Sequence, residues 1–236
     1  MPDHDIIAGA MDIVERGKKK GLVFRVLGGV AVYLKIKDNS ELLEVYRKLE
    51  RSGEGKPMFP DLDIIAYRKQ RNEVTKILSK ELQFKMDPMI SMFAGENRLR
   101  FYNSDADYWL DVFLSKLEFS HDVNFGDAPN RGRLELDFPT ISPTDLLLAK
   151  MEIHNINSKD LIDTMVLILN CEISSEESSK SINASYISEI LSNDWGFWYD
   201  FDSNMSKVIL YSEKKWSEGK LSSVFREDIK NKVQEI

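Results

Sequence analysis

Apolar residues recur at helical spacing over residues 5–19, where Ile7, Ala10, Met11 and Val14 fall on one side. The run ends in Lys18-Lys19-Lys20-Gly21, cations followed by a glycine, which predicts a helix C-terminus. Residues 22–27 read as a short strand, Gly28-Gly29 as a turn, and 30–34 as an apolar helical stretch. A second helix is predicted over 40–49, a loop at Gly53-Glu54-Gly55-Lys56-Pro57, a strand over 61–67 and a helix over 72–82. Four β-like runs follow, around 98–102, 108–114, 118–124 and 133–138. No repeat of fixed period is visible.

The pattern changes at Ser142-Pro143-Thr144-Asp145. Serine before proline, with an acid three residues after the serine, is a strong helix start. Beyond it the chain reads as nearly all helix, over 143–154, 159–171, 184–192, 204–215 and 221–234. The expected organisation is a mixed α/β (α+β) domain over residues 1–140 and a helical domain over 141–236.

Composition narrows the classes. Of 236 residues, 42% are hydrophobic and 30% charged, with 12 Gly and 7 Pro, which excludes a collagenous or mainly disordered chain. A single cysteine, Cys171, excludes an internal disulfide framework, and with only three histidines a structural zinc site is not expected. Apolar stretches such as 165–169 are far below the roughly 20 residues of a membrane span. The N-terminus, Met1-Pro2-Asp3-His4-Asp5, is acidic and unlike a signal peptide, so a soluble cytoplasmic protein is expected. Net charge is −7. Residues 1–140 hold 22 basic and 23 acidic side chains and the rest hold 10 and 16, so most of the excess lies in the C-terminal part. Such a balance argues against broad nucleic-acid binding but leaves room for a small anionic substrate held by local cations.

Three carboxylates stand out. In a strand, residues two apart share a face, so Asp61 and Asp63 point together while Leu62 and Ile64 face the opposite layer. Side-by-side carboxylates repel unless a cation lies between them, and an all-oxygen site suits Mg²⁺. Acid-x-acid triplets also arise by chance in an acidic chain; Asp105-Ala106-Asp107 is one, in a polar turn. Asp111 lies within the apolar run Tyr108-Trp109-Leu110-Asp111-Val112-Phe113-Leu114, with Trp109 and Phe113 beside it on its own strand face. A carboxylate there is expected either to bind metal or to do catalytic work, the alternative being a buried ion pair with Arg100 as partner. Gly28-Gly29, between a strand and a helix, lets backbone approach a phosphate, or is simply a tight turn. Neither the dinucleotide-binding glycine fingerprint nor a P-loop is present.

The order strand, Gly-Gly, helix, Asp-x-Asp strand and a later lone Asp resembles the nucleotidyltransferase superfamily with the polymerase-β-type fold. The matching segments are Leu27-Gly28-Gly29, Asp61-Leu62-Asp63 and Leu110-Asp111-Val112. The chain is most similar to the abortive-infection-toxin-like, antitoxin-related branch, a prokaryotic toxin–antitoxin connection, which also tends to carry a helical lysine and a K/R-D-x-x-D motif. Lys150 and Lys159-Asp160-Leu161-Ile162-Asp163 match these. Before Asp61 stands Met58-Phe59-Pro60, where the family commonly has Arg or Ser/Thr. The resemblance implies a mixed sheet flanked by helices with a helical C-terminal domain. It also implies transfer of a nucleoside monophosphate from an NTP such as ATP to an acceptor hydroxyl, with pyrophosphate released. Asp61, Asp63 and Asp111 would bind Mg²⁺ or Mn²⁺, Asp111 acting also as general base. Gly28, Gly29 and Lys150 would bind the nucleotide. A nucleotide-binding or protein-interaction module of the same fold, without turnover, is the alternative; a partner protein or homo-oligomer fits either.

In the helical part, Lys150 falls inside the apolar arc of Leu146, Leu147, Leu148 and Met151, so its ammonium either snorkels or points into a cleft. Residues 159–171 are apolar nearly all round, as in a core helix. Asn157 is placed to cap it with Asp160 near the positive end, and Asp163 is expected to pair with Lys150 or Lys159. The cluster Trp195-Gly196-Phe197-Trp198-Tyr199-Asp200-Phe201 is expected to pack helical layers rather than stack a base. Arg131-Gly132-Arg133 is expected to be a solvated loop, with a phosphate contact as the alternative.

Overall fold

The structure is a computed structural model that describes residues 3–53, 55–93 and 96–236. Met1-Pro2 and Glu54, part of the 53–57 loop, lie outside the described residues. Helix α1 (Asp3–Lys19) leads into strand β1 (Phe24–Leu27), helix α2 (Gly28–Ile36) and helix α3 (Ser40–Lys48). Strand β2 (Asp61–Ala66) is followed by a 3₁₀ turn (Arg68–Gln70) and helix α4 (Arg71–Lys76), which runs on as a π turn (Ile77–Glu81). Then come β3 (Lys85–Met86), α5 (Pro88–Phe93), β4 (Arg98–Asn103), β5 (Tyr108–Leu114), β6 (Lys116–Glu118) and β7 (Asp122–Asn124). The remainder is α6 (Pro143–Met151), α7 (Ser158–Asn170), β8 (Glu172–Ser174), β9 (Ser181–Asn183), α8 (Ala184–Ser192), α9 (Trp195–Ser217) and α10 (Ser223–Glu235). The architecture is α+β: a mixed sheet flanked by helices, and a mainly helical C-terminal region. No helix of the described residues is long and apolar enough to cross a membrane.

The chain divides into two compact units. One comprises Met1–Val30, Pro57–Glu118 and Asp122–Ile141; the other comprises Ala31–Lys56, Phe119–His121 and Ser142–Ile236.

The first unit is built on a five-stranded sheet in the order β1-β2-β5-β4-β3. β2 and β5 run parallel and every other pair is antiparallel. One sheet face is apolar through its centre: Leu62, Ile64, Leu99, Phe101, Leu110 and Val112 have no exposed surface. Burial of each contributes roughly 1.5–3 kcal/mol, which makes this layer the cohesive part of the unit. Helix α1 packs on β1 and β2. It buries Ile6, Ala10, Ile13 and Val14, a stripe turned from the expected one, since Ile7 and Met11 are half-exposed. The two arcs overlap at Ala10 and Val14; Gly17, whose Cβ would stand 2.1 Å from the Phe24 ring, fixes the buried side by letting α1 approach β1 closely.

Two β-like runs take other forms. The 118–124 run is the end of one strand, a turn and another strand, with β6 and β7 paired antiparallel. The 133–138 run is no strand. Its alternation buries Leu134 but leaves Leu136 exposed, and the Leu136 amide closes a turn on the Arg133 carbonyl at 3.1 Å. Tyr67 holds this segment, accepting from the Leu134 amide and donating to the Glu135 carboxylate.

In the second unit, two helix starts are capped as expected. Ser142 Oγ accepts from the Asp145 amide at 3.1 Å, with Pro143 opening the helix. Asn157 Oδ1 accepts from the Lys159 and Asp160 amides. Helix α6 stops at Met151 rather than continuing to 154, and α9 begins at Trp195, nine residues before the expected start at 204, because Asp194 caps it. That start divides the aromatic cluster by helical phase: Phe197 and Phe201 are buried, while Trp195, Trp198 and Tyr199 are exposed. The elements not anticipated, β3, α5, β8 and β9, are each too short to establish a period.

A buried charge network joins α3, α6 and α7. Lys150 Nζ lies 2.6 Å from Asp160 Oδ1 and 2.8 Å from Asp163 Oδ2. Arg51 donates to both oxygens of Asp163, at 2.7 and 2.9 Å, and the Tyr46 hydroxyl donates to Oδ1 at 2.6 Å. Lys150 therefore neither snorkels nor opens into a cleft. Burial alone would raise the Asp163 pKa, but Lys150 and Arg51 outweigh it and hold the carboxyl at about 2. A depressed folded-state pKa contributes stability that is present above about pH 4 and lost as pH falls toward 2. Asp163→Asn strips a buried lysine and arginine of a shared anion and is expected to cost about 3–5 kcal/mol in urea unfolding at pH 7. The gap to wild type should narrow between pH 4 and 2; a pH-independent gap would contradict this assignment.

Candidate active site

The second sheet face of the first unit is charged. Strand pairing sets Asp63 beside Asp111 and Asp61 beside Trp109 across β2 and β5. Partners in parallel register share a face, so Asp61, Asp63 and Asp111 all lie on one side, opposite the apolar layer. Asp61 and Asp63 therefore share a face, as their spacing predicts, and Asp111 lies on the same side of the sheet. Asp61 is exposed, Asp63 half-buried and Asp111 only 4% exposed. The competing triplet Asp105-Ala106-Asp107 is a turn beyond β4, as expected.

The glycine turn adjoins these acids. β1 pairs with β2 so that Leu27 stands opposite Asp63, and the next residue is Gly28. Gly28 has φ +70°, and a Cβ there would come within 2.5 Å of Asp63 Oδ2. The position requires glycine both for its left-handed backbone and for its approach to the carboxylate. Gly29 is the second residue of α2.

Asp111 is not without a local partner, contrary to what its own strand suggested. Arg98 on β4 grips both of its oxygens, Nε to Oδ1 at 3.1 Å and Nη2 to Oδ2 at 2.8 Å. Arg100, the sequence-based candidate, lies farther off, its Nε 3.8 Å from Oδ1. In register Arg100 stands directly across from Asp111 and Arg98 across from Phe113. The nearer residue turns its guanidinium over the Trp109 ring at 4.4 Å, and Arg98 reaches diagonally instead. The Asp111 hydrogen bond raises the Arg98 pKa, and Asp63 and Asp61 add to the effect through space, so one guanidinium senses all three acids. Alternating Arg98-Leu99-Arg100-Phe101 held the signal for this pairing, but only the register shows which arginine takes the acid.

The donors can be tested against a divalent cation. Asp61 and Asp63 are a pair of hard oxygen donors side by side, of the kind that suits Mg²⁺. Asp111 does not fit as it stands, since both its oxygens are engaged by Arg98. Among the described residues no group of three or more His, Cys, Asp or Glu side chains is arranged to hold a metal ion. Lys150, the other anticipated nucleotide ligand, belongs to the second unit, where Asp160 and Asp163 take its ammonium. In the Arg131-Gly132-Arg133 loop, the Gly132 Cα packs against the Phe125 carbonyl and the Tyr67 hydroxyl, leaving no room for a Cβ.

No family model matches the chain, and no curated protein does. Among solved structures it is similar to an antigenic nucleotidyltransferase-like protein from Paracoccidioides brasiliensis. That likeness has 12% identity and a TM-score of 0.40, and covers 85% of this chain and 94% of that one.

Gly28→Ala tests the turn. A left-handed alanine costs roughly 1–2 kcal/mol, and the new methyl must push the Asp63 carboxylate aside. Thermal unfolding should show that modest loss with the fold kept. A variant as stable as wild type would mean that the backbone at residue 28 does not need the left-handed region.

Proposed function

We propose that the chain is a nucleotidyltransferase of the polymerase-β type, moving a nucleoside monophosphate from an NTP to an acceptor hydroxyl. The observation that carries this reading is the common face of Asp61, Asp63 and Asp111 on adjacent parallel strands, with the Gly28 turn against Asp63. In the transfer the acceptor oxygen forms a bond to the α-phosphorus and the bond to pyrophosphate breaks. The acceptor proton passes to a carboxylate. Such chemistry is mainly positioning and charge neutralisation, so the protein needs few reactive groups. Asp61 and Asp63 would hold Mg²⁺ or Mn²⁺, which when bound neutralises charge on the phosphates. Asp111 is the candidate base, and the backbone at Gly28 and Gly29 gives the phosphates close approach. Lys150 has no part in this reading, because its charge is spent inside the second unit. A cytoplasmic location, suggested by the single cysteine, and the toxin–antitoxin-like branch, suggested by the sequence resemblance, belong to the same reading.

The Arg98–Asp111 pair favours a second reading, a module of the same fold that binds nucleotide without turning it over. The readings separate in one assay. The full chain is incubated with each α-labelled NTP, Mg²⁺ or Mn²⁺, and cell lysate as a source of acceptors, and labelled product and pyrophosphate are measured. Transfer that falls at least about 100-fold in Asp61→Asn and in Asp63→Asn, with melting temperatures unchanged within a few degrees, is the expected result. Nucleotide-dependent stabilisation without any pyrophosphate would select the binding module. Neither stabilisation nor transfer at millimolar nucleotide would contradict both.

A further inference from the structure

Helix α9 has two faces in its first turns. Phe197, Phe201 and Asn204 are buried, whereas Trp195, Trp198, Tyr199 and Asp202 are all exposed. Those four stand at i, i+3, i+4 and i+7, the spacing of one helix face. Trp195 is 74% exposed and stacks with Tyr199, their ring centres 5.7 Å apart. Asp202 follows Trp198 by one helical turn. Exposed aromatics gathered on one face, unlike those scattered singly, mark contact surfaces.

The far end of the same helix shows what such a face takes. Glu213 and Trp216, three residues apart on α9, are clasped by Arg226 of α10. Its guanidinium carbon lies 4.2 Å from the Trp216 ring centre, and its Nη1 lies 3.3 Å from Glu213. Tyr211 is covered in a similar way by Lys215, whose Nζ is 5.1 Å from the ring centre and 2.8 Å from Glu218. Among the described residues no lysine or arginine covers Trp195, Trp198 or Tyr199. Residues 181–206 contain four acids, Glu189, Asp194, Asp200 and Asp202, and no lysine or arginine at all. The imidazoles of His121 and His154 are both taken by Asp200. The aromatic–acid arrangement is thus filled by this chain's own cations at one end of α9 and left unfilled at the other.

We propose that the exposed face at the start of α9 binds an arginine-bearing segment of another protein. The guanidinium would lie on the Trp195, Trp198 and Tyr199 rings and pair with Asp202, as Arg226 does with Trp216 and Glu213. Arginine suits the face better than lysine, because its planar group stacks on an aromatic ring while gripping a carboxylate. The surrounding acids repel nucleic acid and anionic membrane surfaces, and so favour a cationic protein segment. The proposal does not depend on the nucleotidyl-transfer reading.

The test follows the indole N–H signals of the four tryptophans by nuclear magnetic resonance of the ¹⁵N-labelled full chain, each assigned by its Trp→Phe variant. The probe is a blocked peptide of alternating glycine and arginine, titrated at physiological ionic strength. Saturable shifts are expected at Trp195 and Trp198, and none at Trp109 and Trp216, whose rings already carry Arg100 and Arg226. Asp202→Lys, a surface change, should weaken binding roughly tenfold by turning an attraction into a repulsion. The corresponding glycine–lysine peptide should bind at least roughly twofold more weakly than the arginine peptide. No shift of Trp195 or Trp198 at millimolar arginine peptide would overturn the proposal. So would equal shifts at all four indoles, undiminished binding by Asp202→Lys, or equal affinity for the lysine peptide. Shifts of the same two indoles that depend on the concentration of the chain alone would overturn it in favour of a second copy.

Discussion

The parallel pairing of β2 with β5 is the constraint on which the charged face depends. It puts Asp63 level with Asp111, and because side chains alternate along both strands it brings all three acids to one side. A slip of one residue would carry Asp111 into the apolar layer and expose Leu110 and Val112 in its place. The six fully buried side chains on the opposite face oppose that slip. The same hydrophobic contacts that hold the sheet together therefore fix the geometry of the acids, and the site needs no separate scaffold.

Placing acids together has an electrostatic cost, and the two units meet similar costs differently. In the second unit Asp163 is fully buried and is satisfied by Lys150, Arg51 and Tyr46, all of them enclosed. Each member of that cluster has an internal partner, as a structural network requires. On the sheet face, Asp111 is enclosed but its principal partner reaches solvent, and Asp61 is exposed. That contrast separates the two carboxylate clusters, although sequence places both within apolar surroundings.

Much of this was legible from residue order. The alternation Asp61-Leu62-Asp63-Ile64 set the two faces of β2, and Ser142-Pro143 and Asn157 announced their helices because capping chemistry is local. The pairing of Lys150 with Asp163 was one of two options the helical spacing allowed. The partner of Asp111 was not legible, because Arg98 lies on a different strand and the choice between Arg98 and Arg100 depends on cross-strand register and on the Trp109 ring. The 133–138 segment misled for a related reason: its alternation is that of a strand, but it closes on itself in a turn and is tied to Tyr67. The split of the aromatic cluster into buried and exposed halves followed from where α9 starts, which Asp194 decides and the apolar pattern alone did not reveal.

The central claim is that the face bearing Asp61, Asp63 and Asp111 is where metal and nucleotide phosphates meet this chain. The most direct measurement is a crystal structure of the full chain with Mn²⁺ and an NTP whose α,β-bridging oxygen is replaced by a non-hydrolysable group, with anomalous scattering recorded at the manganese edge. The account predicts an anomalous peak within coordination distance of Asp61 and Asp63, with the phosphates beside the Gly28 turn. Bound nucleotide and manganese elsewhere on the chain, with the three acids and Arg98 arranged as they are here, would contradict it.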